Sequence, residues 1–287
     1  MTYIAFSILC SVLVSVLFKL APGRRIDVRQ VIAGSYLVAV LLCLGLFRSS
    51  LAFLWQPFGN VAWGLLLILG VLMPSLFLVL ARSVIAVGVV RTDAAQRLSL
   101  LLPLLAAFTL FGETLTWLKA LGLALGLFAI ACIVSRASAA STAGRGGWHW
   151  PLVVFIGMGI VDILFKRMAQ LSSVPFTDVL LAAFTLALAL ALLYIASLYV
   201  RGQANWSWRN AVAALLLGTL NFGNIFFYVR AHQQLAAQPA LVFSAMNIGV
   251  IVLATLVGAV LFGEQLGRLN RAGLLLAVVA VALLAIA

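Results

Sequence analysis

Apolar runs roughly 20 residues long, separated by short polar breaks, recur from one end of this chain to the other, and no other feature restricts its fold as strongly. In hydrocarbon the backbone must satisfy its own N–H and C=O groups, so such runs are helices. The pattern predicts spans at Thr2 to Leu20, Val31 to Phe47, Val61 to Ala81, Val87 to Phe111, Trp117 to Ser135, Pro151 to Met168, Asp178 to Val200, Asn210 to Val229, Pro239 to Phe262 and Arg271 to Ile286. Ten spans use about 200 of the 287 positions and leave no room for a separate extramembrane domain. A water-soluble globule is excluded on composition: 66% of residues are hydrophobic and 8% charged, against about 45–50% and about 25% in soluble domains.

Eighteen Lys and Arg outweigh six Asp and Glu. They stand singly or in pairs beside apolar runs, the pattern of topology signals, so the expected partner is the lipid bilayer and not nucleic acid. All seven tryptophans (Trp55, Trp63, Trp117, Trp148, Trp150, Trp206, Trp208) fall at or near a span end, where an indole sits at headgroup level. Cys10, Cys43 and Cys132 are far apart within apolar runs and form neither a disulfide framework nor a metal motif. The N-terminus meets its first cation only at Lys19, so the first segment is expected to stay in the membrane uncleaved.

The two halves of the chain repeat. Leu17-Phe18-Lys19 at the end of span 1 returns as Leu164-Phe165-Lys166 at the end of span 6, and Leu110-Phe111-Gly112-Glu113 after span 4 returns as Leu261-Phe262-Gly263-Glu264 after span 9. Residues 1–135 form one five-helix repeat, 136–149 a Ser-, Ala- and Gly-rich linker, and 150–287 the second repeat. Five spans per half is an odd number, so the second copy enters the bilayer upside down. The expected fold is therefore an all-α integral membrane protein of ten transmembrane helices in two inverted five-helix repeats, an arrangement that opens a midplane cavity to alternate faces.

Ten short helices with Phe-Gly-Glu after the fourth of each five resemble the drug/metabolite transporter superfamily, EamA type, over essentially the whole chain. The resemblance implies a multi-pass carrier of the bacterial inner (cytoplasmic) membrane, commonly an exporter. No Gly-x-x-x-x-Gly-Lys-Ser/Thr loop marks an ATPase, and no His-Glu-x-x-His or nucleophile beside a base marks an enzyme, so neither cofactor nor metal is expected.

Candidate site residues are the polar groups drawn deep into spans. Arg91, Asp93, Gln96 and Arg97 fall in the first half of span 4, and each ionisable group costs about 2.5–3.5 kcal/mol there. The repeat sets Ser244 opposite Asp93, Asn247 opposite Gln96 and Ile248 opposite Arg97. Arg97, with Arg91, is expected to hold an anionic substrate group while Gln96 and Asn247 supply hydrogen bonds; the structural alternative is a neutralising Asp93–Arg97 pair four residues apart. Asn221 and Asn224 flank Gly223 near the middle of span 8 and either bridge helices or line the cavity.

Asp162 and Lys166 form a helical acid-before-base pair in span 6, opposite Ser15 and Lys19. Asp162 is the proton-coupling candidate, and Lys166 either pairs with it or snorkels to the headgroups. Arg230, His232, Gln233 and Gln234 read as interfacial, with His232 a candidate relay. Glu113 and Glu264 read as caps for the helix that follows each. Gly122 and Gly126 permit close helix approach inside a monomer in preference to a dimer contact.

Together these residues predict a secondary active transporter, an exporter or exchanger, of a small polar or amphipathic metabolite with an anionic group favoured by the basic excess. The alternatives are a flippase or transporter of a lipid-linked phosphate and a non-transporting partner subunit. Orientation stays open: five basic residues fall on the side of the termini and twelve on the other, which by charge faces the termini outward. The resemblance implies cytoplasmic termini.

Overall fold

The computed structural model describes residues 1–20, 26–47, 60–87, 92, 95–96, 98–134, 149–171, 175–203, 207–262 and 267–286. Among them the regular structure is ten α-helices and no strand: α1 Thr2–Leu20, α2 Val28–Phe47, α3 Asn60–Val87, α4 Leu101–Thr109, α5 Trp117–Val134, α6 His149–Ala169, α7 Phe176–Val200, α8 Trp208–Gln234, α9 Pro239–Phe262 and α10 Arg268–Ile286. Five of them, α2, α3, α7, α8 and α9, contain stretches long and apolar enough to cross a membrane. Apolar side chains also face outward along the bundle, from Leu41, Leu67 and Leu105 to Leu275 and Val260, the last 80% exposed. That much outward-facing hydrocarbon is unlike a soluble surface and gives the chain the character of a multi-pass membrane protein.

Eight of the helices follow the sequence reading closely. The third and fourth do not: α3 runs on to Val87, beyond the expected Ala81, and regular α4 begins only at Leu101. Helical geometry at Ala95, Gln96 and Leu98 gives way to a turn at Ser99 and Leu100. Pro103 accounts for the break, because its ring clashes with the carbonyl four residues back, that of Ser99, and it cannot donate to it. Leu102 N–H instead closes a tighter turn on Ser99 O at 3.1 Å.

In the packing, α5 lies along α10, α2 against α7 and α8, α3 against α6 and α7, α1 against α8 and α9, and α4 against α6 and α9. Several contacts need glycine. A Cβ on Gly218 of α8 would stand 2.7 Å from the Ser35 carbonyl oxygen and from Val38 Cβ on α2, and one on Gly70 of α3 would stand 2.6 Å from Leu186 on α7. Gly122 and Gly126 of α5 pack on Leu284, Ala280 and Ile248 of the same chain, the intrachain use expected for them.

Opposite ends of the bundle are tied differently. Where α2 and α8 begin, Asp27 caps α2 by accepting the Arg29 backbone N–H at 3.0 Å and pairs with the Arg29 guanidinium at 2.9 Å. The Asp27 backbone N–H donates to Asn210 Oδ1 at 3.1 Å, and Asn210 Nδ2 donates to Gln30 Oε1 at 2.9 Å. Partial burial alone would raise the Asp27 proton affinity, but the hydrogen bonds and charge of Arg29 outweigh it and hold the carboxyl below its ordinary range. A lowered folded-state value means stabilisation that is present above the unfolded carboxyl range and fades as pH falls through the folded value. Asp27→Asn should therefore be less stable than the parent at pH 6, with the difference closing below about pH 4; melting curves across that range check it.

At the other end Gly112, with φ +68°, turns the chain after α4. The Glu113 backbone N–H closes the turn on Ala107 O at 3.0 Å. Its buried carboxylate then accepts the Ala240 N–H at 2.8 Å and pairs with Lys119 at 3.0 Å. Glu113 is thus a cap, but for α9 and not for the following helix α5. Pro239 leads α9, so Ala240 N–H is one of the donors that a helix start leaves open. Glu264 lies outside the described residues.

Candidate functional site

Polar stripes at helical spacing build the interior. Ser7, Ser11 and Ser15 repeat every four residues along α1, and Asn221, Asn224 and Tyr228 fall on one face of α8. Ser7 Oγ lies 2.7 Å from Asn224 Oδ1 and 2.9 Å from Asn224 O, which fastens α1 to α8. With that oxygen occupied, the Asn224 NH₂ remains for other partners.

These stripes converge with α3, α6 and α9 on an interior cavity of about 260 Å³. Ser11 and Ser15 come from α1, Asp162 from α6, Asn221, Asn224 and Tyr228 from α8, and Asn247 from α9. Gln96 and Ser99 reach it from the interrupted stretch before α4. Met73, Phe77, Met158, Phe165 and Met246 supply apolar wall between them. Asn247 also donates from Nδ2 to Phe243 O of its own helix at 3.1 Å. Hydrogen-bonding groups set in an apolar wall orient a small ligand, which is the usual make-up of a ligand pocket.

Five of the nine residues singled out in the sequence, Gln96, Asn247, Asn221, Asn224 and Asp162, meet in this one cavity. Arg91, Asp93 and Arg97 lie outside the described residues. Lys166 is elsewhere, and the expected Asp162–Lys166 pair does not form. The Lys166 ammonium, 0% exposed, donates to Ala236 O at 2.8 Å in the turn before α9 and lies over the Phe111 ring. It neither snorkels nor serves Asp162, because its long stem carries the charge to an open carbonyl near the ends of α6 and α8.

His232 also departs from the interfacial reading. It is buried, edge-on to Tyr228 at 4.8 Å and Phe243 at 4.7 Å, and neither ring nitrogen has a hydrogen-bond partner among the described groups. Arg230, by contrast, stacks over Phe176 and Phe226 and reaches Gln233. The sequence reading missed Ser11, Ser99 and Tyr228 as lining residues, although the four-residue serine spacing and the Asn-Asn-Tyr stripe carried the signal.

Asp162 is the unusual member. Among the described residues no cation stands within ion-pair distance of it; the Tyr228 hydroxyl, on the same cavity wall from α8, is buried without a hydrogen-bond partner. A carboxylate on an apolar helix with no cation partner carries a desolvation cost that packing does not explain. Among the described residues no group of three His, Cys, Asp or Glu could hold a metal ion.

Apolar helices around a cavity lined by both polar and apolar side chains have the character of a multi-pass α-helical membrane protein. The sequence is 39% identical over 280 residues to an uncharacterized protein of Haemophilus influenzae, covering 96% of this chain and 94% of that one. The chain belongs to the family of that protein. It shares its fold with a protein of known crystal structure at a TM-score of 0.71 and 18% identity, over 98% of this chain and 94% of the other. No family model matches.

Proposed function

We propose that this chain is a secondary active transporter of the drug/metabolite type in the bacterial cytoplasmic membrane, exporting or exchanging a small polar or amphipathic metabolite by alternating access. The observation that carries this reading is the cavity of about 260 Å³ to which both halves contribute polar side chains. Repeat-equivalent positions meet in it: Gln96 with Asn247, and Ser15 with Asp162. Packing alone gives no reason to bring costly polar groups from both copies to one place in the membrane.

An inverted duplication is supported by helix pairings that exchange under the shift of five helices. The α2–α8 contact answers to α7–α3, α1–α8 to α6–α3, and α1–α9 to α6–α4, while α5–α10, α2–α7 and α4–α9 answer to themselves. Individual contacts follow: Gly218 on Val38 answers to Gly70 on Leu186, each residue 148 positions from its counterpart. Two alternative packings of such halves would open the cavity to opposite faces. The break before α4 leaves Ser99 on irregular backbone at the cavity, where interrupted helices commonly meet substrate.

A metabolite library screened for thermal stabilisation of the purified chain should yield ligands, and the chain alone in liposomes should then exchange them. Combining Gln96→Ala with Asn247→Ala should weaken the best ligand roughly 3- to 10-fold with little change in unliganded melting. Ligands that bind but are never moved by the chain alone would replace the transporter with a non-transporting partner subunit.

A further inference from the structure

The charge on the described cavity wall is a carboxylate. Asp162 lines the cavity, the Lys166 ammonium one turn away is committed to Ala236 O, and no described Lys, Arg or His side chain lines the space. The rings of Phe77, Phe165 and Tyr228 share the wall with Asp162. A carboxylate beside aromatic rings in a low-dielectric site is the recognition chemistry of an organic ammonium, through a charge-assisted hydrogen bond and attraction to the ring faces.

We infer that the cavity binds the protonated amine of its substrate, with Asp162 as counter-ion and the rings of Tyr228, Phe165 and Phe77 around the adjoining hydrocarbon. The inference rests on the cavity being the substrate site, and it reverses the anionic preference expected from the basic excess and from Arg97 with Arg91, which lie outside the described residues. That excess, +12 overall, reflects cations beside apolar runs that set topology, whereas selection between ligands is made by the groups that touch them. Met73, Met158 and Met246 add flexible wall, which suits a set of related amines better than one rigid shape.

Three probes of one shape separate charge from size: phenethylamine, 2-phenylethanol and phenylacetate. With the purified full chain in detergent, phenethylamine should raise the melting temperature and bind roughly 10-fold or more tightly than either of the others. Asp162→Asn should erase its advantage over phenylethanol. If Asp162→Asn does not fold, Asp162→Glu, which keeps the charge, should retain the amine preference, and the wild-type ranking stands as a test without either variant. Preference for phenylacetate, amine binding unmoved by Asp162→Asn, or no binding by any of the three overturns the inference. In liposomes, binding of phenethylamine without uptake overturns transport and leaves the amine site standing; uptake of phenylacetate alone keeps transport and removes the amine site.

Discussion

Glu113→Ala is expected to destabilise the protein by about 3–5 kcal/mol, because it strips one partner from a buried ion pair and leaves the other charged. The Glu113 side chain is 2% exposed and that of Lys119 10%. The same truncation reopens the Ala240 N–H at the start of α9, 127 positions away in sequence. Loss of a cap bond adds to loss of the pair. For a chain of this size the fall in melting temperature should be on the order of 10 °C, readable from intrinsic tryptophan fluorescence in detergent. Glu113→Gln keeps an acceptor for Ala240 but leaves Lys119 unneutralised, so it should fall between the two. Adding Lys119→Met to Glu113→Gln should recover stability relative to the single variant. Equal melting of Glu113→Ala and the parent would show that this end of the bundle is held together without the latch.

The second large effect is expected at the crossing of α2 and α8. Gly218→Val must push against the Ser35 carbonyl oxygen, a backbone atom that cannot rotate away, and against Val38 Cβ, each 2.7 Å from where the new Cβ would sit. Overpacking of this kind costs about 1–3 kcal/mol for modest insertions and more where backbone must move, so loss of folded protein on expression is the expected result. Gly218→Ala should be milder and still clearly destabilising. Gly45 on α2 is the matched control, since a Cβ there meets nothing within 4 Å. Gly45→Ala should be neutral or stabilise by about 0.4–1 kcal/mol through the reduced freedom of the unfolded chain. Similar melting of Gly45→Ala and Gly218→Ala would mean that the two helices do not approach as closely as described.

Much of the helical layout was legible because hydropathy and length answer to a local requirement, that each segment close its own backbone hydrogen bonds. Gln96 and Asn247, both singled out as polar groups in apolar runs, line one cavity. The turn at Ser99 and Leu100 was not legible because one proline, Pro103, interrupts an apolar run that hydropathy reads as continuous. Tyr228 went unread because an isolated tyrosine in an apolar helix is ordinary until an aspartate from α6 is found on the same cavity wall.

Lys166, His232 and Glu113 show where reading by neighbours in sequence stops. Spacing along α6 offers Asp162 to Lys166, yet the ammonium takes the Ala236 carbonyl, 70 residues on. Glu113 stands just ahead of α5 and caps α9. His232 has the composition of a span end and the environment of a core. The amino-acid order accounts for where most of the described apolar helices begin and end, and which residues are costly in them, because those are properties of a single helix against its solvent. Which of the costly residues face one another, and whether a charge meets a cavity, a carbonyl or a helix start, is set by contacts between helices far apart in the chain, whose long side chains choose the nearest satisfying partner in space.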